Sequence, residues 1–227
     1  MQIALTSVEE WQEKSEPQAK KHFAVRSSLL DLRSRGSIHC IVLAASGQVL
    51  PMRISIPERA LVLLIGPAGS GKSTFARKHF GRSEVLSSDY CRYLVADDEN
   101  DQAATEDAFE VLRCIASKRL RSGRLTVIDA TNVQPEARQP LLELACQFQA
   151  EPIAIVFNLP EHLCLERNAN RAERVVLPEV IRSQIEDLQR SLPALTFEGF
   201  REIRILSSPK EVATVVLLKD EFQNRQE

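Results

Sequence analysis

The run Gly66-Pro67-Ala68-Gly69-Ser70-Gly71-Lys72-Ser73 joins three glycines to an amine and a hydroxyl. Its order fits G-x-x-x-x-G-K-[ST], a pattern in which backbone N–H groups close around a phosphate. Glycines let the chain turn with its amides inward, and a helix beginning at Lys72 adds the positive end of its dipole. The expected contacts to a nucleoside triphosphate come from Gly66, Ala68, Gly69, Ser70, Gly71, Lys72, Ser73 and Thr74. Within that set Lys72 reaches the β- and γ-phosphates, and the Ser73 hydroxyl ligates Mg²⁺ directly. No Asn-Lys-x-Asp or Thr-Lys-x-Asp follows, so the usual guanine-reading element is missing and ATP, or a loosely selected NTP, is the expected donor.

A phosphate cradle defines a nucleotide site and leaves the reaction open. Transfer to an acceptor needs an oriented nucleophile and positive charge around the migrating group. A carboxylate at the carboxyl end of a strand near the cradle would serve, and two exist: Asp89, after Val85-Leu86-Ser87-Ser88, and Asp129, ending Leu125-Thr126-Val127-Ile128. If a helix starts at Asp89, Arg92 is three residues on and can face the same cleft. Such a pair suits a hydroxyl beside a backbone phosphate, Asp89 taking the proton and Arg92 holding the phosphate; Asp89 as a helix cap is the plainer reading. Asp129 either holds Mg²⁺ through water or orders neighbouring loop amides with Thr131 and Asn132. Arg167 and Arg171, four apart in a charged helix, are candidates for a lid over the phosphates. A helix that also carries Glu161, Glu166 and Glu173 could equally be a salt-bridged surface.

These residues must be positioned by alternating strands and helices. Ala60 to Ile65 is an unbroken apolar run of strand length, as for a strand buried on both faces. Strands are expected again at Val85–Ser88, Leu125–Asp129, Ile153–Phe157 and Arg204–Leu206. Helices are expected from Lys72 to about Phe80, Ala103 to Ser122, Arg138 to Gln147, Glu161 to about Arg174, Pro178 to Ser191, and from about Pro209 onward. That alternation predicts an α/β fold, a parallel sheet with helices on both faces; with the phosphate cradle it resembles the P-loop NTPases and kinases, whose small members carry a helical lid. Residues 58–227 form this domain. Residues 1–57 read as a small N-terminal extension: helical pieces from Ser7 to Arg35 broken near Pro17, then strands at Ile38–Leu43 and Val49–Ile56, with Pro51 and Pro57 confining the second to an edge or short pieces.

Bulk properties narrow the class. The 227 residues are 44% hydrophobic and 26% charged, a globular balance. No apolar stretch approaches the roughly 20 residues of a membrane span. The start, Met1-Gln2-Ile3-Ala4-Leu5-Thr6, runs into Glu9-Glu10-Trp11 and lacks a signal-peptide layout, so a soluble cytoplasmic protein is expected. A net charge of −2 speaks against a nucleic-acid-coating surface but allows a few arginines to grip one strand end. The cysteines (Cys40, Cys91, Cys114, Cys146, Cys164) lack metal-ligand spacing and are expected to be reduced and mostly buried.

Several segments together resemble the kinase domain of the bacterial polynucleotide kinase-phosphatase RNA-repair enzymes. They are Gly69-Ser70-Gly71-Lys72-Ser73-Thr74-Phe75-Ala76, Glu84-Val85-Leu86-Ser87-Ser88-Asp89-Tyr90-Cys91-Arg92, Asp97 to Thr105, Leu125 to Val133, Val156 to Glu161, and Glu166-Arg167-Asn168-Ala169-Asn170-Arg171. The resemblance spans about residues 53–227. It implies a kinase that moves the γ-phosphate of an NTP to the 5′-hydroxyl end of RNA or DNA with Mg²⁺. It matches the general base to Asp89, the substrate-gripping arginine to Arg92, the lid arginines to Arg167 and Arg171, and a hydrophobic contact with the terminal base to Val180. The family's larger enzymes continue into phosphatase and ligase-like modules; the sequence ends at Glu227, so those activities are expected from separate repair proteins. The extension at 1–57 has no counterpart in that kinase domain, and the acidic run Asp97 to Asp101 has no assigned chemistry. Two other readings stay open: a P-loop kinase of a small hydroxylated metabolite, and a non-catalytic NTP-dependent switch.

Overall fold

The structure, a computed structural model, describes residues 52–171 and 175–219. The helical pieces expected within Ser7 to Arg35, the strand at Ile38–Leu43 and Cys40 lie outside the described residues. From Arg53 the elements run β1 (Arg53–Ile56), β2 (Ala60–Ile65), α1 (Lys72–His79), β3 (Val85–Ser87), α2 (Ser88–Ala96), a 3-10 turn, and α3 (Thr105–Arg121). Then come β4 (Thr126–Asp129), α4 (Pro135–Gln147), β5 (Glu151–Phe157), α5 (Glu161–Ala169), α6 (Pro178–Ser191), a second 3-10 turn, β6 (Glu202–Leu206), α7 (Pro209–Thr214) and β7 (Val216–Lys219).

The main sheet is parallel, in the order β3-β4-β2-β5-β6. All six residues of β2 are buried, because this central strand is covered on both faces. Its side chains alternate between two cores. Leu61, Leu63 and Ile65 pack with Ala108, Leu112, Ala116 and Leu120 of α3 and Leu141 of α4. Ala60, Val62 and Leu64 pack on the opposite face with Phe75 and Ala76 of α1 and with Ile54 and Ile56 of β1. The chain leaves β2 for β3, returns to β4, then crosses to β5 and β6 on the other flank. The carboxyl ends of β2, β3 and β4 therefore open into one crevice where the strand order turns, the place where α/β sheets hold ligands.

Four expectations need correction. The segment after Pro209 is not one helix: α7 ends at Thr214, and Val216–Lys219 pairs in parallel with Arg53–Ile56. The short apolar run Val216-Leu217-Leu218 satisfies its backbone against Arg53–Ile56, where a short exposed helix would be marginal. The helix at Glu161 stops at Ala169 rather than near Arg174. There the buried Asn168 side chain bonds both the N–H (3.0 Å) and the carbonyl (2.7 Å) of Val176. Arg171 thus sits beyond the helix that carries Arg167. The helix placed at Arg138 begins earlier, at Pro135, since proline fits the first helical turn. Finally, Cys91 and Cys164 are buried but Cys114 and Cys146 are exposed, each on the outer face of its helix. No described helix is long and apolar enough to cross a membrane.

Candidate functional site: a phosphate cradle facing an acidic-basic pair

β2 delivers the chain into the glycine-rich loop at the crevice. Gly71, at φ +95°, caps α1 in the left-handed region. Gly69 adopts φ +77°, and a Cβ there would lie 2.1 Å from the Cys164 carbonyl oxygen of α5. Only glycine meets both demands. Gly69→Ala is expected to lose nucleotide binding by more than about tenfold and to lower the melting temperature, because backbone atoms must shift and a left-handed alanine is strained; calorimetric titration with ATP and a thermal melt measure the two effects.

Lys72 is buried and folds back along the loop, its Nζ donating to the carbonyls of Gly66 (2.7 Å) and Pro67 (2.8 Å). Burial lowers its pKa to about 8, against the raising influence of Asp129 and, more weakly, Asp89, while Arg171 adds to the lowering. Asp129 ends β4 beside it, and burial pushes its carboxyl up, opposed by Lys72 and by a hydrogen bond with Ser73. Ser73 and Asp129 thus give a hydroxyl and a carboxylate in contact, a hard-oxygen pair that fits Mg²⁺ retaining several waters and phosphate oxygens. Among the described residues there is no cluster of three or more His, Cys, Asp or Glu that could hold a metal.

The loop after β4 is locked to the cradle. Gly66 N–H donates to the Thr131 carbonyl at 2.9 Å. Asn132, left-handed at φ +49°, donates from Nδ2 to the Leu64 carbonyl at 2.9 Å. Beneath it Arg138, wholly buried, donates Nη1 to the Asn132 carbonyl (2.7 Å) and pairs with Glu198. Removing one partner of a buried pair strands a charge, so Arg138→Ala is expected to destabilise the fold by about 3–5 kcal/mol, read as a lower urea midpoint. An Arg138→Ala, Glu198→Ala double variant should recover part of that loss.

Another part of the cleft wall is built by α2. Its cap is Ser87, whose Oγ accepts from Tyr90 N–H (3.4 Å), which leaves Asp89 in the first turn with its side chain 40% exposed. Arg92 is 4% exposed and donates Nη1 to Asp89 Oδ1 (3.0 Å) and to the Glu99 carbonyl (2.9 Å). The acidic run that lacked an assigned role in the sequence does local work. Asp98 accepts from the Asn100 N–H and Asp101 from the Ala103 N–H, holding the loop whose Glu99 carbonyl fixes Arg92.

One cleft of about 480 Å³ joins these parts. Lys72, Ser73 and Asp129 line it together with Asp89, Arg92, Arg171 and Val180. Arg167 does not line it, but its Nη1 lies 3.7 Å from where a Gly71 Cβ would stand. Sequence reading missed Gln184, whose Oε1 accepts from the Ala68 N–H at 2.8 Å, and also Gln102 and Thr105 on the cleft wall. Uncharged polar residues carry no distinguishing signal of their own, whether in a helix like Gln184 and Thr105 or in a 3-10 turn like Gln102.

The family profile of the AAA domain matches residues 61–195. The chain belongs to that family. Transcription factor bHLH140 of Arabidopsis thaliana is 34% identical to it over 116 residues, 50% of this chain but 12% of that protein, so the chain spans a small part of the curated relative's length. Among solved structures, the Pnkp1/Rnl/Hen1 RNA repair complex superposes with a TM-score of 0.51 at 22% identity over 67% of this chain and 49% of that one. The AvrRxo1-ORF1:-ORF2 complex with ATP superposes at 0.50, with 14% identity over 68% and 55% of the two chains. These likenesses show a shared fold, the parallel α/β fold of P-loop domains.

Proposed function

We propose that the chain transfers the γ-phosphate of ATP to the 5′-hydroxyl end of RNA or DNA, in nucleic-acid end repair. The observation that carries this reading is that Lys72 and Ser73 line one cleft together with the Asp89–Arg92 ion pair. The triphosphate tail lies in the cradle, its β-phosphate held by loop N–H groups and its γ-phosphate by Lys72. Asp89 accepts the proton of the 5′-hydroxyl as its oxygen bonds to the γ-phosphorus, and the bond from that phosphorus to the β–γ bridging oxygen breaks, releasing ADP. Arg92, held by Asp89 and Glu99, presents its remaining donors to the acceptor's backbone phosphate. Arg171 in the cleft and Arg167 beside Gly71 neutralise charge on the transferring group. Ser73, directly, and Asp129, through water, would hold Mg²⁺, which would supply charge neutralisation for the transfer. Val180, with Val175 and Leu177, gives the cleft an apolar lip suited to the terminal base. Separate phosphatase and ligase proteins would precede and follow this step.

The test supplies γ-labelled ATP and Mg²⁺ with matched 5′-hydroxyl RNA and DNA oligomers and with small alcohols. Label on the oligomer 5′ end is the expected result. Label on small alcohols alone would replace this reading with a metabolite kinase.

A further inference from the structure

The exposed face of α2 carries a feature that the phosphoryl-transfer chemistry leaves unused. Tyr90 and Tyr93 are 56% and 49% exposed, and Leu94 beside them is 53% exposed. Helical geometry places Asp89, Tyr93, Tyr90 and Leu94 along one continuous strip, while Cys91 and Arg92 turn inward. The two tyrosine rings lie 6.4 Å apart at 23° to each other, nearly parallel. The buried Phe75–Phe157 pair, by contrast, meets edge-on at 80°. A small soluble domain gains nothing in folding from two rings and a leucine left in water, and such a patch beside a cleft marks a binding surface.

We infer that Tyr93 and Tyr90 form a stacking platform for the second and third nucleobases of a single-stranded acceptor. This rests on the polynucleotide reading of the cleft and deepens it. The occupant follows from continuity with the site. Tyr93 lies one helical turn, about 6 Å, beyond Asp89, and bases in a strand follow one another at about 3.4 Å. A strand whose 5′-hydroxyl reaches Asp89 and whose first backbone phosphate reaches Arg92 therefore lays its next bases over these rings. Flat aromatic faces accept any base, which gives affinity for strand ends without sequence preference. It also reconciles nucleic-acid binding with a net charge of −2, since much of the grip is stacking rather than phosphate neutralisation. An acceptor with its end single-stranded for about three nucleotides is favoured over a blunt duplex, whose paired bases cannot spread onto the rings.

The test compares 5′-hydroxyl oligonucleotides of one to six residues on the full chain and on Tyr90→Ala, Tyr93→Ala and the double variant. On the wild-type chain KM is expected to fall with length up to about three nucleotides. The double variant should raise the hexamer KM by about 10- to 100-fold, with the loss in KM rather than kcat, and should flatten the length dependence. Tyr93→Trp should retain it. A hexamer with 2-aminopurine at position two or three should be quenched on binding the wild-type chain and not the double variant. Length dependence that survives the double variant, or quenching that survives it, overturns the platform and leaves the kinase reading standing. Quenching by the wild-type chain without phosphorylation of any oligomer has the opposite meaning: the platform stands and the kinase reading falls. Absence of both overturns both.

Discussion

Asp89→Ala is expected to lower the turnover of the proposed 5′-hydroxyl phosphorylation by about 10²- to 10⁴-fold, the usual contribution of a positioned general base, while ATP affinity changes far less. The reason is positional. Asp89 lies outside the glycine-rich loop but lines the same cleft as Lys72, and its side chain is 40% exposed, so that an acceptor oxygen could approach it. Removing it takes away the proton acceptor and one of the two groups that fix the Arg92 guanidinium. Asp89→Asn separates these roles, because an amide oxygen can still accept from Arg92 Nη1 but is a far weaker base. If proton transfer is the main role, Asn is nearly as inactive as Ala in single-turnover transfer from γ-labelled ATP. If Asn restores most of the rate, Asp89 only positions Arg92. Full transfer activity in both variants would remove Asp89 from the reaction, whereas no transfer by the unaltered chain would point instead to a nucleotide switch without catalysis.

Lys72 carries the second large effect. Lys72→Met should lower kcat/KM for ATP by about 10²- to 10³-fold, since a cation aimed at developing phosphate charge in a low-dielectric site contributes at this level. It should also abolish the rise in melting temperature on adding ATP. The amine's pKa near 8 adds a pH signature in the free protein. Below about pH 8 Lys72 is charged and grips phosphate; as pH rises through about 8 the charge is lost, and kcat/KM for ATP falls.

Stability moves the other way. The unfolded chain keeps this proton up to its ordinary value of 10.5, so between about 8 and 10.5 the unfolded state binds more protons and stability rises with pH. Below about 8 both states are protonated and the penalty for burying the charge is present in full. Urea midpoints at pH 7.5 and 9.5 for wild type and Lys72→Met expose the term as a pH slope that the variant lacks.

Much of the fold was legible in the residues. The six apolar positions of β2, the glycines after them and the alternation to Leu206 define a parallel sheet with a phosphate loop at its centre, because burial on both faces and left-handed turns leave few other solutions. The element ends were less legible. Nothing in Pro209 to Lys219 by itself favours a strand over a helix; the free edge of Arg53–Ile56, more than 150 residues earlier in the chain, decides it. Arg171 leaves its expected helix for a similar reason, since Asn168 prefers the Val176 backbone to another helical turn.

The sequence by itself determined the nucleotide end of the cleft, where local spacing alone curls the backbone around phosphate and sets Lys72 and Ser73 at its mouth. It also supplied Asp89 and Arg92 as a pair one helical turn apart. Only the tertiary structure decided that this pair faces the cradle, that Ser87 rather than Asp89 caps α2, and that Gln184 from a distant helix braces Ala68. Contacts of the first kind depend on neighbours within a few bonds and are written in the local order of residues. Those of the second kind depend on how the sheet orders its strands, which no short stretch of chain contains.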